Sequence, residues 1–99
     1  MNEYNEQIKE LFDRVPRRHT SDNVKDMYTI LEAYEGLLMV IETNAQFEQR
    51  VAPFFNSIND IKSIVKKSND NKASKKMKDM LFDEASGALK DALEELQKL

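Results

Sequence analysis

The sequence predicts an all-α protein, a small antiparallel helical bundle in one domain spanning 1–99. Three observations predict it. Only two glycines and two prolines occur in 99 residues of which 33% are charged, a composition that suits helices and starves a sheet of turns. Apolar residues recur at spacings of three and four in four separate stretches, one face of a helix each time. Three of those stretches have nearly equal length, and equal rods joined by short loops pack antiparallel.

The first helix is expected over about 3–15. Tyr4, Ile8, Leu11, Phe12 and Val15 fall at i, i+4, i+7, i+8 and i+11, with charged residues between them. Pro16 ends it, because the residue before a proline is driven out of the helical region. "RRHTSDN" then reads as a turn in which Thr20 or Ser21 caps the next helix, with Asp22 and Asp26 at the positive end of its dipole.

The second helix is expected over 22–43. Val24, Met27, Leu31, Tyr34, Leu38 and Ile41 form a seam of alternating three- and four-residue steps. Ile30, Leu37 and Val40 lie off that seam, and "LLMVI" (37–41) is apolar around its whole circumference, so this helix is either central or faces another chain. Tyr34-Glu35-Gly36 resembles, over three residues, the Trp-x-Gly turn of a family of small secreted helical hairpins. A turn there would cut the seam in two, so the periodicity predicts a helix running through Gly36.

Thr43 followed by Gln46 has the pattern of a capping box and predicts a new helix over 45–67. Phe47, Val51, Phe54, Ile58, Ile61 and Val65 run through it as one stripe, with Pro53 tolerated as a kink on the opposite side. "KKSNDNKAS" reads as a loop in which Ser74 or Asp70 caps a last helix over 74–98. Met77, Leu81, Ala85, Ala88, Ala92 and Leu96 lie on one line of that helix, thin around Ala85, Gly87 and Ala88 where a neighbour can come close. The three longer segments measure roughly 33 to 37 Å at 1.5 Å per residue. With the shorter first helix they predict four helices up-down-up-down, or three with an N-terminal brace. Size and predicted architecture are similar to the helical immunity proteins of bacteriocin producers, although no motif is shared.

Chemistry is sparse. No cysteine is present, which removes disulfides, thiolate metal sites and cysteine nucleophiles and favours a reducing, cytoplasmic setting. No basic-then-apolar leader opens the chain, and the longest apolar run is far too short to span a membrane. The single histidine, His19, falls in a polar turn and reads as an exposed loop residue; two-histidine metal motifs and glycine-rich phosphate loops are missing. Adjacent acids such as Asp83–Glu84 and Glu94–Glu95 point in different directions on a helix and build no two-carboxylate site. No enzyme, cofactor or metal site is expected.

Two binding surfaces are. Lys66, Lys67, Lys72, Lys75, Lys76 and Lys78 crowd thirteen residues against the single Asp70, while 79–99 holds six acids against Lys90 and Lys98. Lys75 and Lys76 stand at the positive end of their helix, a locally unfavourable choice. In an up-down-up-down bundle the first and third loops share a pole, so Arg17 and Arg18 are expected beside these lysines as a basic cap for an acidic protein surface or a nucleic acid. The second surface is apolar: Ile30, Leu37, Val40, Phe55 and Ile64, wherever the core leaves them free, would face another chain. The favoured reading is a small non-enzymatic protein-binding protein, a regulator, inhibitor or assembly factor whose partner is another protein or a second copy of itself. Its Lys, Asn, Ile, Phe and Tyr usage is that of A+T-rich bacterial or phage genes. Polyanion binding through the basic pole is the alternative.

Overall fold

Two of the four helices begin at a side-chain cap and a third at a buried anchor. The computed structural model, which describes residues 2–99, opens with a 3-10 turn (Asn2–Tyr4). Four α-helices follow: α1 (Asn5–Arg14), α2 (Ser21–Glu42), α3 (Glu48–Ser68) and α4 (Lys75–Gln97). Thr20 is extended and its hydroxyl accepts from the Asn23 amide at 3.0 Å, starting α2; Ser74 does the same for the Met77 amide at 3.2 Å, starting α4. Both caps satisfy an N–H that the helix itself leaves unpaired.

The second loop corrects the capping-box expectation. Thr43 keeps helical angles, closes α2 and donates its hydroxyl to the Val40 carbonyl at 2.6 Å, while Asn44 Oδ1 accepts from the Gln46 amide. The start of α3 therefore shifts from 45 to Glu48, where Phe47 holds the N-cap position with no side-chain hydrogen bond. Burial fixes that start, since Phe47 belongs to the core. Exposed Pro53 lies inside α3, which stays helical on both sides of it. The missing N–H faces a surface where water can serve the freed carbonyl.

Consecutive helices pack antiparallel. α3 lies against both α2 and α4, and α1 against both α4 and α2, so α1 and α3 occupy opposite corners of a rod about 45 Å long. All six residues of the α2 seam are buried, and so are Ile8, Leu11, Val51, Ile58, Ile61, Val65, Phe82, Leu89 and Leu93. α2 runs unbroken through Gly36.

With ten residues, roughly 15 Å at 1.5 Å per residue, α1 covers only about a third of the rod. The chain from 15 to 20 continues as an extended strap against α4. Ser86 is buried and donates its hydroxyl to the Pro16 carbonyl at 2.5 Å, and Asn23 on α2 donates to the Arg18 carbonyl at 2.8 Å. The strap meets α4 through Ser86, Phe82 and Asp83, whereas an added Cβ at Gly87 in the thin stretch would meet nothing within 4 Å, so the close approach expected there is not made at that glycine. His19 is carried inward with the strap: half-buried, it meets the Phe82 ring edge-on at 5.9 Å and its Nε2 is sealed without a hydrogen bond, which corrects the expectation of an exposed loop histidine.

Candidate functional site

Among the residues expected to form an apolar interface, the core takes the larger share. Ile30 and Leu37 are buried, because α2 packs against α1 as well as α3, and Phe55 and Ile64 are half-buried against the same core. Val40 stays 54% exposed, and its neighbour Met39 equally so. Five residues spread over two helices therefore reduce to one free position with a surrounding groove.

That groove runs between α1 and α2. Its floor is Leu11, Ala33, Gly36, Leu37 and Val40, and its rim is Gln7, Glu10 and Arg14. Gly36 opens the floor: an added Cβ there would meet nothing within 4 Å. Glycine inside a helix costs roughly 1 kcal/mol relative to alanine, and no internal contact at Gly36 returns it. Sequence pattern did not single out Ala33 or Gly36, since neither interrupts the apolar seam; the signal was only that a glycine stands mid-helix on the outer side.

The basic residues divide. Lys66, Lys67, Lys72, Lys75 and Lys76 are exposed around the third loop, and Lys78 is half-buried. Lys66 and Lys67 occupy the last turn of α3, where the dipole favours positive charge, whereas Lys75 and Lys76 open α4, where it does not. Asp70 Oδ1 accepts from the Lys72 amide at 2.9 Å and shapes the loop. Arg17 does not join them. The strap draws it along α4 to Asp83, 3.9 Å away, an exposed pair of small energetic weight. Arg18 stays at the foot of α2, its carbonyl held by Asn23.

What sequence reasoning missed at this pole is Tyr28. It lies off the α2 seam and projects into a groove with Ser63, Lys66, Lys67, Asn69, Asp70 and Asn71. The lysine run contains no aromatic of its own; the antiparallel packing of α2 on α3 supplies one.

Charge is also sorted along the rod. The half nearest the third loop (17–31 and 59–86) carries ten Lys and Arg against seven acids, and the other half carries five against eleven. The α1–α2 groove is in the acidic half and the Tyr28 groove in the basic one. Among the described residues no cluster of His, Asp and Glu has the makings of a metal site, and no helix is long and apolar enough to cross a membrane. No known protein family, curated protein or solved structure matches the chain.

Proposed function

We propose that the protein is a small non-enzymatic binding module, a regulator, inhibitor or assembly factor, whose α1–α2 groove receives a basic amphipathic helix of another protein. The observation that carries this reading is the unfilled apolar floor at Gly36 beside Val40, in the half of the molecule with eleven acids. A helix laid in such a groove is anchored by apolar side chains at i, i+3, i+4 and i+7, and basic residues along its edges would find Glu10 and the surrounding acids. Amide chemical shifts, followed while a Leu/Lys amphipathic helical peptide is added, test it. Shifts should concentrate at Leu11, Ala33, Gly36 and Val40, vanish in Val40→Glu, and be absent with a Leu/Glu peptide of the same pattern. Shifts mapping elsewhere, or none with either peptide, overturn it.

A second reading has its own observation, Tyr28 beside Lys66 and Lys67. An aromatic for base stacking within a lysine-lined groove is what a single-stranded nucleic acid uses. Affinity for a labelled oligonucleotide should then fall steeply with salt, because neutralised phosphates release counterions, and Tyr28→Ala should weaken it about tenfold. Salt-independent or absent binding removes this reading.

A further inference from the structure

The Tyr28 groove between α2 and α3 has a volume of about 590 Å3, within the range of small-molecule sites. Three chemically distinct groups converge on it. Tyr28, 37% exposed, offers an aromatic surface to stack on. Lys66 and Lys67 supply positive charge, and neither is in an ion pair among the described residues. Asp70 supplies a fixed carboxylate: its Oδ1 accepts from the Lys72 amide at 2.9 Å, which holds the side chain in place and leaves Oδ2 for an incoming donor. An aromatic surface takes a base, lysine takes a phosphate, and a carboxylate takes ribose hydroxyls.

We propose that the Tyr28 groove binds one free ribonucleoside 5′-phosphate, its base stacked on Tyr28, its phosphate on Lys66 and Lys67, and its ribose 2′-hydroxyl donating to Asp70. This site is the groove of the second reading above, on which the assignment rests, with the ligand narrowed from a strand to one nucleotide. Tyr28 is the only aromatic among the residues that line it, so one base is stacked and no more. Carboxylates stand at both ends: Asp70 at the third loop, and exposed Glu32 one turn beyond Tyr28 on α2. A phosphodiester chain continuing along the groove would carry its next phosphate toward one of them, where like charges repel. A mononucleotide has no next phosphate. A purine suits the site because it presents the larger face to the ring. Deoxyribose lacks the hydroxyl that Asp70 would accept from, so the groove discriminates between the sugars.

Amide chemical shifts of the full-length protein test this as AMP, dAMP, adenosine or a single-stranded oligoriboadenylate is added. AMP should shift Tyr28, Ser63, Lys66 and the 69–71 loop saturably. Both dAMP and adenosine should bind about tenfold more weakly, the one lacking the hydroxyl and the other the phosphate. The oligoriboadenylate should gain no more than about threefold over AMP, since one base still stacks. Tyr28→Ala should weaken AMP about tenfold, and the fold should survive it because Tyr28 lies outside the core. Asp70→Asn keeps the Oδ1 that holds the Lys72 amide, loses the second acceptor, and should abolish the preference for AMP over dAMP. Circular dichroism confirms that both variants remain helical. An oligonucleotide that binds with steep salt dependence while AMP leaves the shifts unchanged overturns the proposal and keeps the second reading. No shift with either removes both. Equal affinity for AMP and dAMP, or shifts outside the groove, also overturns the proposal.

Discussion

Tyr34 is the largest side chain sealed in the core, at 0% exposure. Its hydroxyl makes no hydrogen bond of good geometry, and burial pushes its pKa up to about 12 from 10.0, offset slightly by Ser57. Ser57 gives its own proton to the Phe54 carbonyl. In the unfolded chain the phenol releases its proton near pH 10, in the fold only near 12, so the folded state holds a proton that the unfolded state has lost. The stability is whole below pH 10 and falls as pH rises toward 12, by about 2 to 3 kcal/mol from this group. Chemical denaturation of the protein and of Tyr34→Phe across pH 9 to 12 isolates the effect by difference. At pH 7, Tyr34→Phe should be neutral or more stable by about 1 kcal/mol, because it removes an unpaired buried hydroxyl. Ser86→Ala should cost about 1 to 3 kcal/mol, since the Pro16 carbonyl loses its donor, and should raise amide exchange along 15–20.

Among the elements, the two caps and the two glycines have opposite signs. Thr20→Ala and Ser74→Ala each remove a hydroxyl that accepts an end amide of a helix and should lower stability by about 1 kcal/mol. Thr43→Ala should cost less, because the Val40 carbonyl that the Thr43 hydroxyl serves also accepts the Thr43 amide. Gly36→Ala and Gly87→Ala place a methyl in open space on a regular helix, so each should raise stability by roughly 1 kcal/mol in urea denaturation. α3 was predicted as one continuous element from its four-three stripe, and so it is; its first residue was misplaced because a capping-box pattern is a local signal. Keeping Ile41 in the core and burying Phe47 outweighed it.

At the scale of the molecule, a single core joins all four helices. Leu31→Ala or Leu38→Ala should lose about 2 to 5 kcal/mol by leaving a cavity, whereas Val40→Ala, half exposed in the α1–α2 groove, should stay within about 0.5 kcal/mol. Thermal melts of the three variants check the contrast. The core was legible in the sequence because periodicity records which side of a helix is apolar. Which off-seam residues were free was not legible: Ile30 and Val40 are equally apolar in the sequence, and only the position of the short α1 and its strap buries one and leaves the other exposed.

The sequence by itself determined the all-α class, the order of the helical segments, the α2 seam and the concentration of lysine around the third loop. These follow from period and composition, which act within one helix at a time. The tertiary structure decided what lies between helices: the strap that carries His19 inward and Arg17 away from the lysines, the meeting of Tyr28 with Lys66 and Lys67, and the groove beside Val40. Such neighbours belong to different turns of different elements, and their distance is set by how the helices pack in three dimensions.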